Sequence, residues 1–509
     1  MSQVTDNNKR IAKNTLLLYV RMLFMMIVSL YTSRVILNAL GVEDFGIYNI
    51  VGGIVVMFGF LNTAMSTATQ RFLSFELGQR NKELLKKVFS SSLLIHFIIA
   101  FIVFIVSETF GLWFLNTKLS IPLDRMNAAN WVYQFSIFSF IISIMSVPYN
   151  AAIISHERMN VYAYVSIIEA VLKLLVVYLL GLLGFDKLKI YACLLFLVSL
   201  FVRVIYQVYC RKKFEECSFN FIWDKELLIR LTSFSGWSLF GGIAYVAKSQ
   251  GINILLNIFY GATVNAAWAI SQQVNSAVLS FMQNFTTALN PPIVKAYANK
   301  NLIGVFTLLF EGMKYSFFLA YCLIIPLFFE LEYVMALWLK SVPEYAVIFV
   351  RLVLVCILME SFAHVISVTV QATGKIKWFQ IIIGGIYFLN LPLSYWFLRV
   401  TNSPVSTMYV AVFLSALLVL LRFCILFKLI HFPIYRLFKL IRLIVLLCFF
   451  TLPIISCLQI FPVGFIRLLL TFFSNGILAL LVLFFFGMSK MERDNVYKQI
   501  RSLINLVKK

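Results

Sequence analysis

Apolar runs of roughly 20 or more residues, the length a helix needs to cross the hydrocarbon core of a bilayer, recur along the whole chain. They fall near 14–37, 45–68, 88–108, 130–151, 160–182, 189–209, 231–259, 264–287, 303–327, 345–368, 376–398, 404–427, 437–460 and 464–488. The pattern predicts an all-α polytopic membrane protein of about fourteen transmembrane helices. The runs at 45–68 and 264–287 are the weakest, being rich in glycine and polar residues. No loop between runs is long enough to house a soluble domain or an external active site. The first apolar run contains Arg21 and lacks a small-residue cleavage site, so it reads as a retained span and not a removed leader.

Composition agrees with the pattern. The 509 residues are 61% hydrophobic and 13% charged, with a mean hydropathy of +0.92. Eight cysteines are scattered singly, mostly within apolar runs, so neither a disulfide framework nor a metal spacing emerges, and no cofactor is expected.

Net charge is +22, and its placement is informative. Alternating sides from a cytoplasmic N-terminus puts about 29 Lys and Arg on the inner side. The outer loops hold only Lys118, Arg125, Lys187, Lys189, Lys340 and Arg399, against acids that include Glu43, Asp44, Glu330, Glu332 and Glu344. The charge therefore reflects topology, with both termini cytoplasmic, and needs no nucleic-acid partner.

Self-comparison shows a weak internal repeat. VILNALGVEDFGIYNIVGG from Val35 aligns with ILLNIFYGATVNAAWAISQ from Ile254, NTAMSTATQRF with QNFTTALNPPI, and RNKELLKKVF with ANKNLIGVF. The offset of roughly 220 residues equals six spans, which keeps both copies in one orientation, as in transporters built from two parallel six-helix bundles. The expected domains are an N-terminal bundle, 1–210; a cytoplasmic linker, 211–230; a C-terminal bundle, 231–430; two additional helices, 431–488; and an amphipathic tail, 489–509, suited to an anionic leaflet. Such an arrangement implies alternating access about a central cavity.

Ionisable residues within spans are costly and usually face a partner or a cavity. Glu169 with Lys173, and Glu311 with Lys314, stand at spacings that let each pair neutralise itself. Arg203 and Arg351 lie near span ends, where they can snorkel. His96 is a lone histidine in an apolar run and reads as packed. Glu360 and His364, one turn apart, form a candidate protonatable couple for ion coupling, with a structural hydrogen bond as the plainer reading. Arg21, Arg34 and Lys248 have no acid within four residues. Gln250, Asn253 and Asn257 continue one stripe after Lys248, and Asn265, Gln272, Ser276 and Gln283 form another. Such stripes serve either as helix–helix glue or as a wet cavity wall. Unpaired cations suit an anionic cargo such as phosphate or pyrophosphate better than a cationic drug.

The stretch from Asn14 to Asn62, above all YTSRVILNALGVEDFGIY, resembles the opening of bacterial polysaccharide flippases of the O-antigen (Wzx) type. These belong to the MATE-like multidrug/oligosaccharidyl-lipid/polysaccharide (MOP) exporter superfamily. The span number, the parallel halves and the short loops agree over nearly the whole chain. The resemblance implies a V-shaped pair of six-helix bundles in a bacterial inner membrane. It also implies a cargo of undecaprenyl-pyrophosphate-linked oligosaccharide for O-antigen, capsule or exopolysaccharide synthesis, and a cationic cavity. Arg21, Arg34 and Lys248 match the family's basic residues by position and not by an identical motif, and Lys248 has no basic counterpart near Ser29. Gln250, Asn253, Asn257 and Gln272 are the expected sugar contacts. H+ or Na+ coupling is expected, since no phosphate-binding loop for ATP is present. The rivals are an ion-coupled multidrug antiporter on the same fold and, more remotely, a membrane polysaccharide polymerase or ligase, for which no catalytic cluster is evident.

Overall fold

The computed structural model describes residues 2–488 and Arg493, apart from Met57, 119–120, 181–185, Phe219, 221–222 and 340–341; side chains in parts of the first helix and at Lys118 and Ala262 fall outside it. The expected amphipathic tail, 489–509, thus lies almost wholly outside the described residues.

The described chain is nearly all helix. The first half comprises α1 (Ser2–Val56), α2 (Gly59–Gln79), α3 (Lys82–Val106), α4 (Leu112–Lys118), α5 (Met126–Ser155), α6 (Met159–Leu180) and α7 (Lys187–Lys213). The second comprises α8 (Lys225–Ala298), α9 (Leu302–Phe329), α10 (Leu331–Trp338), α11 (Ala346–Glu360), α12 (Ala363–Thr373), α13 (Lys377–Thr401), α14 (Ser406–Ile430), α15 (Ile434–Leu458) and α16 (Phe465–Val482). Among these, eleven helices are long and apolar enough to cross a membrane, or twelve when α11 and α12, bent by 40°, count as one span. This is a multi-pass membrane protein. The described residues of the two weak expected spans, 45–68 and 264–287, are also helical apart from a turn at Phe58, but too polar to stand out by hydropathy.

Both weak spans begin just after a break in a long helix. In α1 the break is Gly41 (φ 81°, ψ 170°), and in α8 it is Gly261 (φ 73°, ψ −162°). Only glycine adopts this backbone region without strain. The repeat is visible at other turns. Arg80 (φ 58°) and Lys300 (φ 55°) both end their helices left-handed. The asparagine after each caps the next helix, Asn81 Oδ1 accepting from Leu84 N at 3.0 Å and Asn301 Oδ1 from Gly304 N at 2.9 Å. Equivalent spans also pair alike, α5 with α7 in the first half and α11 with α14 in the second.

By internal contacts the chain forms two units. The first contains Met1–Lys248, Gln283–Val305 and Ser367–Phe388. In it Gly78 of α2 allows close approach to α8, because a Cβ there would lie 2.9 Å from Ala298 Cβ and Lys295 Cα. Gln79 Nε2 donates to the Ala298 carbonyl at 3.2 Å. Arg71 is buried, with its guanidinium over Phe72 and Phe75. It donates to the carbonyls of Gln371 at 3.2 Å and Ala372 at 3.1 Å, satisfying the C-terminal end of α12. Glu157, 3% exposed at its side chain, takes Arg10 and Lys295 at 2.8 Å each.

The second unit contains Ser249–Met282, Phe306–Ile366 and Leu389–Lys509. Its main core gathers Leu256, Trp268, Met282, Phe349 and Leu354. A separate cluster around Phe317, Tyr321, Leu447 and Ala479 fixes α15 and α16 against α9. Glu330, expected in an outer loop, is buried at 1% exposure. It accepts from Arg467 Nε at 3.0 Å and Nη2 at 2.9 Å, and from Gln459 and Thr471. Arg467 is thus an intramembrane cation that spacing within its own span does not reveal.

Candidate functional site

Four helices of the first unit place small polar residues at helical intervals, so that each presents one polar stripe. On α2 these are Asn62, Thr63, Ser66 and Thr67. On α5 they are Ser143, Ser146 and Asn150. On α6 they are Tyr162, Ser166, Glu169 and Lys173, and on α7 Ser199 and Tyr206. With Arg21 of α1, the stripes enclose a cavity of about 590 Å³.

Several hydroxyls bond back to their own helix. Thr67 Oγ1 donates to Thr63 O at 2.9 Å, Ser166 Oγ to Tyr162 O at 2.8 Å, and Ser146 Oγ to Ile142 O at 2.7 Å. Their lone pairs remain available to a ligand. Lys173 Nζ donates to Glu169 Oε1 at 2.6 Å, so that pair neutralises itself as its spacing predicts. Arg21 is then the cation left over. Its guanidinium carbon lies 4.4 Å from the centre of the Tyr162 ring, and its Nε is buried without a hydrogen-bond partner among the described residues. Asn62 Nδ2 donates to Ser143 Oγ at 3.1 Å, while the Oδ1 atoms of Asn62 and Asn150 are buried and unbonded among the described residues. Buried groups left this way cost free energy until a ligand or water meets them. The cavity thus offers one cationic donor, two carbonyl acceptors and several hydroxyls, a set matching an anion carried on a hydroxyl-rich molecule.

Among the seven expected cargo residues, Arg21 is the one found in this lining. The side chain of Arg34 lies outside the described residues. Lys248 also belongs to the first unit, with Nζ 5.2 Å from the Tyr387 ring centre, and Tyr245 packs edge-on against the same ring. Gln250, Asn253, Asn257 and Gln272 belong to the second unit. There Gln272 Oε1 accepts from Asn275 at 3.2 Å. Glu360, at the bend between α11 and α12, accepts from Ser415 Oγ at 2.7 Å and Arg422 Nη1 at 3.4 Å; His364 lies one turn further on.

Other intramembrane charges are also engaged. Arg203 reaches the carbonyl of Met145 and lies over Tyr149 instead of snorkelling. Arg351 pairs with Glu332 at 3.2 Å. His96 is packed and bonds to the Ser92 carbonyl at 2.6 Å. The stripes on α2, α5, α6 and α7 were open to the spacing rule that singled out α8, but serine and threonine blend into apolar runs more easily than glutamine and asparagine.

Residues 11–297 match the family described as polysaccharide biosynthesis protein. No curated protein matches the chain. Solved transporters share its fold. A MATE transporter in a bent conformation superposes with a TM-score of 0.74 at 15% identity. An outward-facing multidrug resistance MATE family transporter of the MOP superfamily gives 0.72 at 14%. A MOP superfamily transporter from Pyrococcus furiosus, described as having a binding pocket of reversed polarity that suggests a different function, gives 0.72 at 13%. Each alignment covers 84% of this chain and 96% of the other.

Proposed function

We propose, from the premise that the chain belongs to the polysaccharide biosynthesis protein family, that it flips undecaprenyl-pyrophosphate-linked oligosaccharide across a bacterial inner membrane by alternating access. The observation that carries this reading is the cavity around Arg21, where, among the described residues, a buried guanidinium nitrogen without a hydrogen-bond partner stands among hydroxyls and two unbonded amide oxygens. A pyrophosphate would meet the guanidinium, and sugar hydroxyls would donate to Asn62 and Asn150. The prenyl chain would remain in lipid.

In this reading residues 1–210 and 231–430 are the two bundles, joined by 211–230, and both termini are cytoplasmic. Arg34, Lys248, Gln250, Asn253, Asn257 and Gln272 are further cargo contacts, and Glu360 with His364 is the candidate site of H+ or Na+ coupling. The test is reconstitution of the purified protein in vesicles holding lipid-linked oligosaccharide on one leaflet, with a lectin or a sugar-modifying enzyme reporting its arrival on the other. Protein-dependent arrival that fails in Arg21→Ala supports the reading. Equal rates with and without protein overturn it.

A second reading, an ion-coupled multidrug antiporter, is favoured by the fold shared with multidrug MATE transporters. Uptake of cationic dyes by the same vesicles, with no movement of the lipid-linked sugar, would select it.

A further inference from the structure

The second unit holds another pocket, about 350 Å³, formed by α9, the start of α15 and the segment that follows α16. Its charged lining is Glu311, Lys314, Arg436 and Lys439. Lys314 is 5% exposed. It pairs with Glu311 and donates to the Gly487 carbonyl at 3.1 Å, so its charge is answered within the protein. Arg436 donates from Nε to the Tyr435 hydroxyl at 3.3 Å. Neither Arg436 nor Lys439 forms an ion pair among the described residues. The two stand three residues apart in the first two turns of α15, hence on one face. The pocket therefore holds two uncompensated cations.

Its surroundings are apolar. Phe486 lines the pocket itself and stacks on Phe450 of α15, which lies on the same face of that helix as Arg436 and Lys439; both rings are exposed. In a membrane-spanning helix these side chains meet acyl chains. A soluble anion would use the cations and gain nothing from this flank, whereas an amphiphile with an anionic head uses both.

We propose that this pocket seats the headgroup of an anionic phospholipid, with its acyl chains lying along α15. The phosphate oxygens would take the Arg436 fork and the Lys439 ammonium, as basic pockets between helices do at the cytoplasmic leaflet. The leaflet follows from the proposed orientation; the lipid is a resident of the protein and distinct from its cargo.

The test uses the full chain in detergent, with bound lipid counted by native mass spectrometry. Phosphatidylglycerol, phosphatidylethanolamine, inorganic pyrophosphate and undecaprenyl pyrophosphate are the probes, with Arg436→Gln/Lys439→Gln compared against Lys82→Gln, a basic residue in the first unit. Phosphatidylglycerol is expected to be retained over phosphatidylethanolamine by about fivefold or more, and the preference is expected to vanish in the double variant but survive in Lys82→Gln. An unchanged preference in the double variant overturns the proposal. So does pyrophosphate competing as well as the lipid, which would make this a soluble-anion site, or undecaprenyl pyrophosphate displacing the lipid at equal concentration, which would make it a cargo site. Should the double variant fail to fold, Lys439→Gln alone, at an exposed position, is expected to weaken the preference, and no weakening there is equally fatal.

Discussion

Gly41 and Gly261, roughly 220 residues apart, break their helices in the same way, at φ 81° and 73° with ψ within about 20° of ±180°. Among the described residues, chain neighbours and the helix's own backbone aside, no atom lies within 4 Å of a Cβ built on either, so the requirement for glycine comes from the backbone. Gly41→Ala or Gly261→Ala is expected to cost roughly 1–3 kcal/mol, read as a lower unfolding temperature in detergent. Gly52→Ala, in helix with open space, is the control and is expected to be neutral or stabilising.

Arg21→Ala is expected to lower transport of lipid-linked oligosaccharide by about tenfold or more, from the loss of a charge-assisted hydrogen bond worth about 1.5–3 kcal/mol. Arg21→Lys should recover part of it, keeping the charge but not the planar fork. Thermal unfolding of both variants, measured alongside, should stay near wild type, because Arg21 makes no ion pair among the described residues.

Arg467→Met leaves Glu330 buried without its cation. A loss of roughly 3–5 kcal/mol is expected. Adding Glu330→Gln should restore much of it, since a neutral amide can still bond to Gln459 and Thr471. Equal unfolding temperatures for the single and double variants would show that the charge itself is not the source of the cost.

His156 and Glu216 provide a dependence on pH. The ring nitrogen Nε2 lies 2.5 Å from Glu216 Oε1, and the imidazole stacks on Phe214 at 4.0 Å. Burial pushes the Glu216 carboxyl up, but the bond to His156, its own backbone bond and nearby Lys86 outweigh this and hold it below the ordinary value of 4.5. A carboxyl depressed on folding stabilises above its unfolded pKa, and that contribution is lost as pH falls through the folded value. Wild type is therefore expected to lose stability below about pH 4.5 more steeply than Glu216→Gln, in denaturation measured across pH 3 to 6.

Legibility in the sequence followed the range of the interactions. Span positions and the parallel repeat are local patterns, and even the weak segments 45–68 and 264–287 read as apolar runs that the repeat then aligns. The Glu169–Lys173 pair was readable because a helix places such residues together. Arg467 was not, because its partner Glu330 sits at the junction of α9 and α10 and looks from sequence like an outer-loop acid. The cavity was half legible. Arg21 stands out as a cation in an apolar run, but its surroundings come from four other helices, and serine or threonine at intervals of three or four does not announce a shared wall. Lys248 stands out for the same reason as Arg21, and like it lies beside a tyrosine ring, Tyr387 in place of Tyr162, but it lines no part of this cavity.

The hold of Arg71 on the carbonyls of Gln371 and Ala372 bears on how the protein is made. Its cation sits in α2, while the acceptors arrive some 300 residues later. Throughout synthesis of the intervening chain, this guanidinium must stay hydrated or find a temporary substitute. An N-terminal fragment ending before α12 should therefore insert its helices yet leave Arg71 unsatisfied, and the finished state of the first unit waits on the last third of the polypeptide.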